Sequence, residues 1–372
     1  MNRMIYADSE RCADMLYATG FHAPDPFLYF EKNGRRHVVL NQLEYDRGGK
    51  EAKVDRVLNQ TALVQEMQRR GHSTVRTHEW ILELFRRHRV RELRVGPAFP
   101  LALADALRQG RIRLTVAEDG LFPERGAKTP TEVEAIRRSL RVTAKLLDHA
   151  IGMIRTSRPN RRGVLLLGGA TLTSERIQAA IRTEAARCAF FPSQPIVSSG
   201  RQACDPHECG HGPLRANEFI IVDIFPRNLA SGYWGDMTRT VVKGRANDRQ
   251  RHQFETVRRA QHLAISKLRH GVEGRTIHRA VDRFFARHGY LTGTTSGRYE
   301  GFFHGTGHGL GLEIHESPRI SSVPQILKTG NVVTIEPGLY YAATGGVRIE
   351  DVALIRRGGC EMLSRLPVCL EI

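Results

Sequence analysis

Four acidic residues stand where acids are hardest to keep. Asp223 lies in the apolar run EFIIVDI, Asp236 opens DMTRTVV, and Glu336 and Glu350 interrupt VVTIEPGLYY and GVRIEDVALI. An ionised carboxylate in such a strand loses hydration worth several kcal/mol unless something positive meets it. Arginine guanidinium groups would do, and so would cations. If the four acids converge, only a dense positive charge such as a pair of divalent metals keeps all of them ionised. The segment HGTGHGLGLEIHESP adds His304, His308 and His315 within twelve residues, spaced by glycines that let backbone come close to an ion or a substrate. A lone histidine is more often structural; three together, ahead of two acid-bearing strands, read as a site.

These residues need elements to hold them. Residues 218–224 and 236–242 predict two strands of a hairpin joined by the turn-rich PRNLASGYWG. Helices are expected over 248–270 and 274–288. Upstream, Thr129-Pro130-Thr131-Glu132 is a capping box with proline at the first helical position, and Val133, Ile136, Leu140, Leu147 and Ile151 follow at helical spacing. Before residue 120 short apolar strands (37–40, 93–95) alternate with amphipathic helices (80–85, 101–107), an α/β pattern. The stretch GLFPERGAK then places a domain boundary near residue 125, giving domains 1–125 and 126–372 in an α/β (α+β) chain.

The pieces GYWGDMTRT, HGTGHGLGLEIHESP, TIEPGLYY and GVRIEDVAL, in that order, resemble the signature of the pita-bread metallopeptidases, the superfamily of methionine aminopeptidase, aminopeptidase P and prolidase. The resemblance spans residues 126–372, and the amino-terminal part is similar to the smaller creatinase-like α/β domain that precedes the catalytic domain in aminopeptidase P and prolidase. It implies two divalent metal ions, manganese first, with cobalt, zinc or iron as alternatives. Asp223 would chelate one metal, Asp236 and Glu350 would bridge both, and His308 and Glu336 would complete the second. A hydroxide bridging the metals would attack, with Glu336 as proton shuttle. His315, seven residues after His308, matches the family's donor to the tetrahedral intermediate. His207, sixteen residues before Asp223, matches its substrate-facing histidine. His304 is similar to a histidine that either supports the ligands from behind or lines the pocket, and Arg348 is placed to orient a carboxylate or carbonyl, or else to form a structural salt bridge. The chain departs from the pattern between Asp223 and Asp236, where Phe225-Pro226 replaces a glycine and the loop is two residues longer. That loop bears on substrate preference.

The implied reaction is removal of amino-terminal residues from peptides, at Xaa-Pro bonds. A prolidase-like dipeptidase is the alternative, for which Arg298, Arg319 or Arg348 could meet a free carboxylate. A non-catalytic pita-bread binding protein is the remote one, disfavoured because all five ligand positions are filled. The net charge of +17 raises nucleic acid as a partner. Yet the arginines come as scattered pairs without an aromatic-rich motif, so a solvated basic surface is expected and no specific nucleic acid partner. CDPHECGH lacks the paired spacing of a zinc knuckle. Six scattered cysteines do not make a disulfide framework, and no stretch reaches the ~18 apolar residues of a membrane span. A cytoplasmic protein without membrane partners is expected, and the resemblance implies a homodimer.

Overall fold

The computed structural model describes residues 2–118, 120–295 and 297–372. The chain divides into two units, Met1–Arg125 and Gly126–Ile372. The first is built on a six-stranded sheet with the order Arg56–Asn59, Arg35–Leu40, Phe27–Lys32, Arg3–Ala7, Glu92–Val95 and Arg113–Val116. Period-two alternation puts neighbouring side chains on opposite faces. Met4, Leu28, Phe30 and Val39 therefore join one core with Trp80, Ile81, Phe85 and Leu107 from the helices Thr77–His88 and Leu101–Gln109. Ile5, Phe27, Tyr29 and Val38 join the other, with Met15 and Phe21. Burying both faces is what the α/β pattern requires.

The second unit holds every candidate site residue. Its helix Pro130–Thr156 starts on the expected capping box: Thr129 Oγ1 accepts from Glu132 N, and Glu132 Oε2 accepts from Thr129 N at 2.7 Å. Val133, Ile136, Leu140, Leu147 and Ile151 are all buried. The expected hairpin is present, Phe219–Ile224 pairing antiparallel with Met237–Val242, so that Asp223 faces Thr238. The helix expected over 248–270 ends at Lys267, where Leu268 turns extended, and Gly274–Arg287 follows.

Two of the expected strands are each two strands. Residues 332–341 split into Val332–Ile335 and Gly338–Tyr341, and residues 345–355 into Gly345–Arg348 and Asp351–Ile355. The outer members pair in a five-stranded sheet, the inner ones in a two-stranded sheet, so the chain changes sheets at Glu336 and again at Glu350. The crossing releases each glutamate from the ladder's alternation. A continuous apolar run conceals such a break because both halves are buried.

Candidate metal centre

Each acid is aimed by backbone contacts that its own neighbours dictate. Asp223 sits one residue from the end of its strand. Asp236 precedes the partner strand and follows Gly235, where a Cβ would strike the Ser139 backbone and the Thr143 hydroxyl of the long helix. Glu336 N donates to Thr306 O at 2.8 Å and Glu350 N to Thr238 O at 3.1 Å, which ties both sheet crossings to neighbouring segments. His308 lies in the strand Gly307–Gly309, and Gly307 has no room for a Cβ against the Thr334 carbonyl.

Four of the five side chains converge, and the Asp223 charge acts on two of them, Asp236 and Glu350. His308 Nε2 lies 3.2 Å from Glu336 Oε1 and 3.7 Å from Asp236 Oδ2. Donor atoms of Asp236, His308 and Glu350 all lie within 4.8 Å of one another, and they form the one such His/Cys/Asp/Glu cluster among the described residues. Thr238 Oγ1 donates to Glu350 Oε2 at 2.8 Å, and Thr334 Oγ1 donates to Glu336 Oε1 at 3.3 Å while accepting from His308 N. Asp223 Oδ1 and Glu350 Oε1 are buried and face no donor.

Electrostatics shows what such crowding requires. Burial and the Asp223 charge push the Asp236 carboxyl well above the usual carboxylate range, and burial with the Asp236 charge does the same to Glu350. Burial alone would lower His308, but Glu336 and Asp236 raise it to about 9. Burial opposes ionisation of Glu336, yet the His308 hydrogen bond and charge bring it down to about 2. Without cations, protons must supply the missing positive charge. The donor set suits metal better: His308 Nδ1–H is directed at Gly309 O at 3.1 Å, which holds the tautomer whose Nε2 faces the acids. Two carboxylate oxygens without donors, beside an imidazole nitrogen already aimed inward, fit divalent cations.

The sequence model of metallopeptidase family M24 matches residues 134–357. The chain belongs to metallopeptidase family M24. It is 31% identical over 240 residues to the Xaa-Pro dipeptidase of Pyrococcus furiosus, an alignment covering 64% of this chain and 63% of that protein. The chain thus spans just under two thirds of that relative's length. The prolidase structure from Pyrococcus furiosus superposes with a TM-score of 0.79 at 24% identity, over 98% of this chain and 96% of that one. An X-Pro aminopeptidase structure from Thermotoga maritima superposes with a TM-score of 0.82 at 20% identity, over 100% of this chain and 97% of that one. The fold is the pita-bread fold.

In this M24 chain the remaining expected residues fall into two groups. His207 and His315 are exposed at the rim, His315 with its ring 4.3 Å from His308, edge to face. Burial and His308 hold His315 below the ordinary imidazole value, and His207 contributes to that lowering in both His304 and His315. His304 and Arg348 are hydrogen-bonded to other residues of the protein. Carbonyls only accept, so His304 Nδ1–H donates to Gly305 O at 2.8 Å, and its Nε2 is left to accept from Tyr340 OH at 2.9 Å. Arg348 Nη1 donates to that same hydroxyl at 2.9 Å, and Nη2 donates to Asp223 Oδ2 at 2.7 Å. Of the two roles open to Arg348, the salt bridge is the one formed.

The sequence reading missed Thr238, Thr334 and Tyr340. A signal for the threonines was present: Thr238 lies two residues from Asp236, and Thr334 two from Glu336, the spacing that returns to one strand face. Tyr340 had no such mark, since its partners lie on other strands.

Proposed function

We propose that this chain is a divalent-metal-dependent peptidase that hydrolyses Xaa-Pro dipeptides, its ions held by Asp223, Asp236, His308, Glu336 and Glu350. The observation that carries this reading is the convergence of three carboxylates and one imidazole, with the Asp223 charge acting on two of those acids and two buried carboxylate oxygens lacking donors. Divalent cations there would supply the charge that lets water lose a proton near neutral pH and that polarises a peptide carbonyl. An oxygen-rich donor set leans towards manganese. Residues 126–372 would be the catalytic domain, after a creatinase-like domain over 1–125. A homodimer and a cytoplasmic setting belong to the same reading, the latter supported by six free cysteines.

The chain's own residues would do the rest. Glu336, its side chain 18% exposed, holds one oxygen toward His308 and keeps the other to take and return a proton. His315, kept neutral, can donate N–H to the negative charge that develops on the carbonyl oxygen, while His207 flanks the substrate across the rim.

Arginine placement favours dipeptides. Arg348 is spent on Asp223, and Arg298 Nη2 lies 3.0 Å from Asp205 Oδ2. Arg319 is exposed and close enough to lower His315, and its guanidinium has no partner among the described residues. A free α-carboxylate, which a dipeptide places next to the cut, would meet it. This moves the expectation from an aminopeptidase towards a dipeptidase, in keeping with the activity named for the Pyrococcus furiosus relative. The test is hydrolysis by manganese-loaded protein of Xaa-Pro dipeptides, Xaa-Pro tripeptides and proline-free peptides. Dipeptide cleavage is expected. Preference for tripeptides would return the aminopeptidase reading, and no cleavage of any of them would end both.

A further inference from the structure

His315 ends the bend that runs into the strand Glu316–Ile320, and Glu316 is the first residue of that strand. His315 faces His308. Glu316 forms a buried ion pair with Lys128, the lysine side chain 1% exposed and the glutamate 7%. A lysine and a glutamate this deeply desolvated are retained only where each is the other's compensation. The residues between Gly309 and Glu316, which pair across the strands, form the short loop that carries His315.

That loop is braced at two points. Trp234, two residues before Asp236, donates its backbone N–H to Gly311 O at 3.0 Å and its Nε1–H to Leu312 O at 3.1 Å. Lys128 holds the other end. Its backbone N–H donates to Gly330 O at 2.8 Å, and the carbonyl of Gly126 accepts from Asn331 Nδ2 at 2.7 Å, so the lysine stem starts from a fixed point. Glu316 Oε2 in turn lies 3.5 Å from Glu313 N, inside the loop. Gly311 has no room for a Cβ against the Glu316 carboxylate.

We propose that Lys128 is a positioning residue for His315: by fixing the Glu316 side chain where the loop enters the strand, it fixes the backbone that carries the adjoining His315 imidazole. The inference rests on the reading of His315 as a hydrogen-bond donor to substrate. Lys128 touches neither substrate nor metal ligand. Its effect passes through one peptide unit, where a rotation that lets Glu316 seek water would swing His315 off the site. Displacements near 1 Å at a reacting group can cost a hundredfold in rate.

The test is a double-mutant cycle on the manganese-loaded full chain, using K128M, H315A and the pair together, with kcat, KM and bound manganese measured for each. In the His315 background K128M is expected to lower kcat about tenfold to a hundredfold, with KM and metal content held and K128R restoring most of the rate. In the H315A background K128M is expected to change kcat by less than about twofold, because nothing remains to position. An equal loss in both backgrounds, or loss of bound manganese, overturns the proposal. Should K128M fail to fold, K128M/E316L removes both charges and enters the same cycle with the same expected coupling. A second readout needs no turnover. In protein labelled with 13C at histidine Cε1, the resonance assigned to His315 by its absence in H315A should shift in K128M. An unshifted resonance in folded K128M overturns the proposal even if the peptidase reading fails.

Discussion

The guanidinium of Arg348 donates to Asp223 Oδ2 at 2.7 Å, while Asp223 Oδ1, equally buried, meets no donor. One oxygen is satisfied by the fold and the other is left for a ligand. Arg348 also reaches Tyr340, which reaches His304, so one chain of hydrogen bonds runs from a proposed metal ligand to His304.

Removing Arg348 would strand that carboxylate. Arg348→Met is expected to lower folding stability by about 3–5 kcal/mol, the usual result of breaking one side of a buried pair. The loss should be smaller with manganese present, because the cation then meets Asp223 alone. Urea midpoints with and without metal check both statements, and an unchanged midpoint would rule out the pair as a stabilising contact.

Ligands and rim residues should separate cleanly. Asp236→Ala and Glu350→Ala are expected to lose bound metal and activity together. His315→Ala should keep its metal and lose kcat by about 10²- to 10³-fold, the range for removing one donor to a developing oxyanion. Elemental analysis alongside kinetics decides this, and metal loss in His315→Ala would refute the division of roles.

Arg319→Ala should raise KM for Xaa-Pro dipeptides about tenfold, as expected for losing a charge-assisted contact at an exposed site. Dipeptides with an amidated carboxyl terminus should be insensitive to the same change. Equal effects on both substrates would remove Arg319 from carboxylate recognition.

Metal should also hold the fold. Chelation leaves four crowded carboxylates without their counter-charge, so the thermal midpoint is expected to fall on adding a chelator and to recover with manganese. At a free-metal concentration a hundredfold above Kd, one site contributes about 2.7 kcal/mol. A midpoint indifferent to metal at saturating concentration would contradict the proposed centre.

A pH dependence is expected in the amino-terminal unit. His37 stacks on Phe30 at 4.6 Å and lies 5.9 Å from the His88 ring, and burial lowers both imidazoles, His37 adding to the lowering of His88. A histidine depressed in the folded state refuses a proton that the unfolded chain accepts near pH 6.5. Stability is therefore intact above that value and declines as pH falls below it. His37→Phe should flatten the drop in urea midpoint between pH 7.5 and pH 5.5, and a slope equal to the parent's would exclude His37 as a source.

What the linear chain determined is the inventory. Acids placed inside apolar runs, histidines spaced by glycine and a capping box before a long amphipathic helix are local patterns, and each carries its own physical cost or preference. They sufficed for the candidate ligands, for the α/β layering and for the hairpin between Asp223 and Asp236. What they could not determine is which polar groups satisfy one another across strands. Arg348 is two residues from Glu350 in the chain, yet it serves Asp223; Thr238 follows Asp236, yet it donates to Glu350. His304, for which the sequence left two roles open, is met by the Tyr340 hydroxyl, a partner 36 residues away in the chain. Such pairings depend on sheet crossings at Glu336 and Glu350 that a uniformly buried run does not display, so only the tertiary structure decides which charges are spent inside the protein.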